Sequence, residues 1–230
     1  MKANYRIVLA ALLAAMAFGT IASASASAAE CPGTETGKVA LCIEGKKTVG
    51  EVPFTAKANF GAVLTIEGGI AIKCGKVSSK GTFLPVASNA AIKVSKLTVE
   101  FTSCTMSAPA NCRVKEPFTL EKLSGEATET TFTFFPAENQ TRFGVLTIIN
   151  SGGTCAIGGA DAVTTEGHKT SLGPVCTLSK VTEESAEHEA NCPGSKSHLE
   201  INAAPAELEL PENIALSGAY LGKKWSIQKN

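Results

Sequence analysis

The sequence predicts an all-β fold, an antiparallel β-sandwich or jelly-roll-like arrangement stapled by disulfides. Three observations predict it. Apolar residues recur at every second position in several short runs, helical periodicity is nearly absent, and eight cysteines follow an apolar N-terminal stretch.

The alternation is clearest in four runs. Ile70, Ile72 and Cys74 share one face of a strand, and Leu97, Val99 and Phe101 share another while Thr98, Glu100 and Thr102 point away. Phe132 and Phe134 alternate with threonines, and Ala206, Leu208 and Leu210 alternate with glutamates. Apolar parity slips between Val94 and Leu97, which a bulge at Ser95-Lys96 explains. Helical character is expected only over Thr182 to Ala190, where Glu183 and Glu184 suit a first turn.

Phe60-Gly61-Ala62-Val63-Leu64-Thr65-Ile66, followed by Gly68-Gly69 and Cys74, is echoed by Phe143-Gly144-Val145-Leu146-Thr147-Ile148, followed by Gly152-Gly153 and Cys155. Each reads as a strand, a glycine turn and a second strand carrying a cysteine. Two hairpins of any β protein would look alike in this way. Two related halves, about 50–135 and 136–230, are the alternative.

Residues 1–29 have the three parts of a signal peptide. Lys2 and Arg6 supply charge, Ile7 to Phe18 form an apolar run, and Ala26-Ser27-Ala28 offers a small-residue cleavage site. The run is shorter than the roughly 20 residues that span a bilayer. The expectation is a secreted, extracellular chain, with residues 30–230 as one disulfide-stapled β domain and no membrane association after cleavage. Glu30 stands where a lipidated Cys31 would need a small residue, which disfavours a lipoprotein.

Outside the signal, 19 basic side chains face 21 acidic ones, a net charge near −2. Bulk charge therefore draws neither nucleic acid nor an anionic membrane. Only one aspartate occurs, Asp161, and the mature part has one Trp (Trp225), one Tyr (Tyr220) and two Arg (Arg113 and Arg142). Calcium loops and aromatic sugar platforms lack their usual residues.

In an oxidising compartment Cys31, Cys42, Cys74, Cys104, Cys112, Cys155, Cys176 and Cys192 are expected to form four disulfides. Local loops favour Cys31 with Cys42, Cys104 with Cys112, and Cys176 with Cys192, leaving Cys74 with Cys155 to join the halves; the main rival pairs Cys74 with Cys104. No Cys-x-x-Cys pair supports a metal site.

Candidates for chemistry are few. His188, Cys192 and His198 lie among Glu183, Glu184, Glu187 and Glu189, a grouping that admits a metal site or a catalytic dyad but reads more simply as a solvated segment with an oxidised cysteine. Asp161 and His168 lack a serine partner in a Gly-x-Ser-x-Gly elbow, and Gly45-Lys46-Lys47-Thr48 lacks the earlier glycine of a phosphate loop. Glutamates such as Glu207 and Glu209 alternate with apolar residues, as on a solvent-facing strand. Asn139-Gln140-Thr141 matches a glycosylation sequon and marks a loop. No catalytic residue, metal ligand or cofactor is assigned. An unidentified extracellular ligand or surface component is the expected partner, with the span from about Gly158 to His198 as the ligand-facing loop. An extracellular hydrolase using glutamates, or a protease inhibitor, are the alternatives.

Several short motifs occur together: Cys42 to Gly45, Phe54 to Ala56, the strand ending at Cys74, Phe101-Thr102-Ser103-Cys104, Cys155, and Leu216-Ser217-Gly218 followed by Trp225. In these the chain resembles a large, paralogue-rich group of secreted bacterial proteins of unknown function from high-GC Gram-positive lineages. It is also similar to secreted proteins described as activators of alkane oxidation. The resemblance implies export and a β fold and supplies no active residues; the segment with Cys176 and Cys192 departs from the common pattern.

Overall fold

The structure, a computed structural model, describes residues 30–31, 36–58, 60–85, 90–137, 140–165 and 173–229. The signal segment, Asn139 and His168 lie outside the described residues.

Sixteen strands run in chain order: β1 (Val39–Ile43), β2 (Lys46–Lys47), β3 (Val52–Lys57), β4 (Ala62–Ile66), β5 (Ile70–Leu84), β6 (Ile92–Met106), β7 (Cys112–Val114), β8 (Phe118–Ala127), β9 (Thr131–Phe135), β10 (Arg142–Asn150), β11 (Gly159–Thr165), β12 (Val175–Leu178), β13 (Glu187–Cys192), β14 (Leu199–Ile201), β15 (Ala204–Leu216) and β16 (Trp225–Lys229). Every pairing among them is antiparallel, and the described residues include no α-helix. None of their helices is long and apolar enough to cross a membrane. The fold is all-β, with sheet faces packed on one another around one apolar core.

The sheet edges pair with each other. One closed circuit of hydrogen-bonded neighbours runs β3–β5–β6–β8–β9–β12–β13–β15 and back to β3. A second runs β4–β5–β6–β8–β10–β11–β14–β15 and back to β4, with Gly144 opposite Leu120 as its narrowest join. Closure leaves few free edges, and eight strands make a ring that side chains can fill. The long strands β5, β6, β8 and β15 serve both rings. The rings therefore do not follow a division of the chain near residue 135.

Where β5 passes from one ring to the other its alternation slips. Ile72 and Cys74 are buried, Gly75 and Lys76 are both exposed, and Val77 and Ser79 are buried again. On β6 Phe101 and Cys104 are buried around Thr102 and Ser103, so the two strands slip together and stay in register. Ser103 has φ +56°, and the Glu116 carboxylate accepts the Ser103 and Cys104 N–H groups at 2.9 and 2.5 Å. Each strand thereby turns apolar residues into both rings. Beside this point β3 ends and β4 begins, and Gly61, at φ +77°, lies where a Cβ would strike the Cys74 carbonyl oxygen. The slip expected at Ser95-Lys96 is present too: β6 shifts register against β8 between Val94 and Leu97, and Lys96 has φ +54°.

The second small sheet, β16–β1–β2, covers the first ring. All five residues of β1 are buried, as a continuous apolar run allows. Trp225 of β16 is fully buried, 5.5 Å from the Phe83 ring and edge-on to His188 at 4.5 Å.

Two local expectations are corrected. Thr182 to Ala190 is a turn leading into β13, whose His188, Ala190 and Cys192 point inward while Glu187, Glu189 and Asn191 point out; period two in the core overrides the helix-start signal of Glu183 and Glu184. The span from Gly158 to His198 is not one loop, because it holds β11, β12 and β13.

Candidate functional site

All eight cysteines are bonded, and the register of the strands decides how. Cys31–Cys42 and Cys176–Cys192 close the short loops expected of them. The other two bridges correct the expected pairing of Cys74 with Cys155 and of Cys104 with Cys112. Cys74 on β5 stands directly opposite Cys104 on β6, with Cα atoms 3.9 Å apart, so their bond needs no loop to bring them together. Cys112 begins β7, which pairs with the end of β10, and Cys155 follows in the next turn, where Asn150 Oδ1 accepts its N–H at 2.9 Å. Cys112–Cys155 thus ties β7 to that turn, with Cα atoms 5.0 Å apart. In the half repeat, β4–β5 and β10–β11 are both hairpins, but only the first carries its cysteine on a strand.

The grouping around His188 is taken apart by the fold. His188 Nε2–H donates to the Trp225 carbonyl oxygen at 2.7 Å, since a carbonyl can only accept. Cys192 is in its disulfide, Glu184 accepts the Gly45 N–H, and Glu187 and Glu189 face outward. No group of three His, Cys, Asp or Glu side chains able to hold a metal occurs among the described residues. Asp161 lies on β11 opposite Leu146.

One group that sequence reasoning passed over stands out inside. Glu212 of β15 is 5% exposed and projects into the first ring, where Ser79 of β5 donates its hydroxyl to Glu212 Oε1 at 2.5 Å. The space around them is lined by residues of seven of the eight strands, among them Phe54, Leu97, Phe132, Phe134, Cys176 and Ile214. It measures about 10 Å³, room for about one water molecule. Loss of hydration pushes the Glu212 carboxyl up from its ordinary 4.5 to about 7, against the lowering effect of the Ser79 hydrogen bond. Continued alternation could have found it. Leu208, Leu210, Ile214 and Leu216 fix the inward parity of β15, and position 212 shares it.

Outside, charge is segregated. Strands β3, β5 and β6 carry seven charged side chains, all exposed: Lys57, Lys73, Lys76, Lys80, Lys93, Lys96 and the single acid Glu100. Strands β13 and β15 carry five glutamates and no lysine or arginine; Glu187, Glu189, Glu207 and Glu209 are exposed. A near-neutral chain thus presents one basic and one acidic sheet face.

Compared with known proteins, the chain matches no family model, and neither a curated protein nor a solved structure is similar to it at a significant level.

Proposed function

We propose that the chain is exported, loses its first 29 residues, and acts outside the cell as a disulfide-stapled binding or surface-associated scaffold with no catalysis of its own. The observation that carries this reading is the commitment of reactive side chains to structure: bonded cysteines, His188 held by the Trp225 carbonyl, and Glu212 sealed with Ser79. Four stapled loops suit an oxidising compartment. A glutamate hydrolase would need two carboxyl groups about 5 to 9.5 Å apart across a cleft. Glu212 shares its cavity with no second acid, and three open depressions hold at most one each, Glu116 or Glu121.

Fractionation of the producing cells tests this. The expected result is a chain beginning near Glu30, outside the cell, that is retained on washed envelopes and is retained equally well as Glu212→Gln. Uncleaved protein confined to the cytoplasm would overturn it, as would hydrolysis of a glycoside or ester substrate that Glu212→Gln abolishes.

A further inference from the structure

We propose that the outer face of β3, β5 and β6 is a docking surface for an acidic polysaccharide, anchored at the depression between Lys57 and Lys76. The proposal rests on the extracellular scaffold reading above and names its partner.

Charge is the first argument. Six lysines stand on three neighbouring strands, and of these six only Lys96 forms an ion pair with a described residue, Glu51 at 3.2 Å. Across the strands Lys57 faces Ser78, Lys73 faces Thr105, Lys76 faces Thr102 and Lys80 faces Thr98, so these four ammonium groups have no opposed carboxylate on β3, β5 or β6 and together present a positive field to a partner. The acidic β13 and β15 face repels the same partner and confines it to the lysine side.

Shape and chemistry narrow the partner. A depression of about 300 Å³ opens where β3 breaks from β5, lined by Lys57, Ala58, Lys76, Val77, Ser78 and Thr102. Lys57 lies opposite Ser78, and Lys76 opposite Thr102, so two ammonium groups and two hydroxyls ring a small apolar floor. Thr55, Thr98 and Thr105 extend the hydroxyls across the same outward face. Phe60, two positions beyond Ala58 in the chain, is 91% exposed. Carboxylates for the ammonium groups, hydroxyls for the threonines and an apolar ring face for Phe60 are combined in a uronate-type sugar unit. From Lys73 to Lys80 the strand covers roughly 23 Å, enough to lie along several such units.

Other polyanions fit less well. The three strands contain no arginine, the side chain whose planar fork grips phosphate in two places. Among the described residues only Val49, Phe60 and Leu221 are strongly exposed large apolar side chains, too few to insert into a lipid surface. Glu100, opposite Ser78, is the face's only acid and weakens its field locally.

The test is titration of the purified mature protein with polygalacturonate, with neutral dextran, polyphosphate and phosphatidylglycerol vesicles as comparisons. Polygalacturonate is expected to bind, dextran not, and affinity is expected to fall as salt rises from about 50 to about 200 mM. Lys57→Gln with Lys76→Gln should weaken binding roughly tenfold, Phe60→Ala severalfold, and Glu100→Gln should strengthen it. Lys115→Gln, outside this face, should leave it unchanged. Absence of polygalacturonate binding would overturn the proposal, as would an equal loss in Lys115→Gln, or tighter binding of polyphosphate or vesicles. Envelope retention that survives Lys57→Gln with Lys76→Gln would also overturn it while leaving the scaffold reading in place.

Discussion

The interior of the first ring and the outer face of β3, β5 and β6 treat charge in opposite ways. Inside, a single carboxyl, Glu212, is stripped of water and held by one hydroxyl in a cavity that fits about one water molecule. Outside, six lysines stand in solvent with one acid among them. Strand β15 shows the contrast within a few residues. Glu207 and Glu209 are exposed, whereas Glu212, on the other parity, is buried. Desolvation dominates inside, because one buried charge is costly; screening dominates outside, where each charge contributes little to stability and is free to meet a partner. Stability should therefore depend on the interior, and binding on the lysine face.

The largest effect should come from opening the interior. Phe54 lines the cavity and packs 4.5 Å from the Phe83 ring, so Phe54→Ala is expected to cost about 3–5 kcal/mol in denaturant unfolding. Room for water beside Glu212 should also flatten the pH dependence described next.

Glu212 itself should sharpen the comparison through pH. Its folded pKa, about 7, lies above the ordinary 4.5 of an unfolded chain, so the folded state holds the proton more tightly between these values. The contribution to stability is full below pH 4.5 and is lost as pH rises through 7, reaching about 3 kcal/mol. Glu212→Gln keeps the shape and the acceptor for Ser79 without the charge. It should match the native protein near pH 4.5 and be more stable by up to about 3 kcal/mol at about pH 8. Thermal unfolding across this range measures the difference, and parallel curves would remove Glu212 from the account.

The smallest effect on stability should come from the lysines. Lys57→Gln with Lys76→Gln is expected to change unfolding free energy by less than about 0.5 kcal/mol at each position. A large loss would mean that these side chains support the sheet instead of a partner.

Much of the fold was legible because a half-buried strand writes its two faces into alternate residues. Ile72 and Cys74, Phe132 and Phe134, and the inward residues of β15 were readable directly, and the slip at Ser95-Lys96 showed as a break in parity. The same rule reaches Glu212, but Pro211 and the polar Glu212 and Asn213 interrupt the apolar signal there. Glu187 to Cys192 alternates as well, yet the preceding glutamates imitated a helix start. Cysteine pairing was less legible, because it depends on which residues become neighbours across a sheet. Cys74 and Cys104 are 30 positions apart in sequence and directly opposed in space. The lysine face was hidden for a similar reason: Lys57, Lys73, Lys76 and Lys80 come from two strands, and the paired slip at Gly75 and Ser103 keeps Lys76 on the outside.

That register supports both sides of the comparison, since Cys74 facing Cys104 fixes which side of β5 turns inward. Peptide mass spectrometry of the unreduced mature protein reads it directly. The account predicts Cys74 linked to Cys104 and Cys112 to Cys155, with Cys31–Cys42 and Cys176–Cys192 intact. Cys74 linked to Cys155, with Cys104 linked to Cys112, would contradict it.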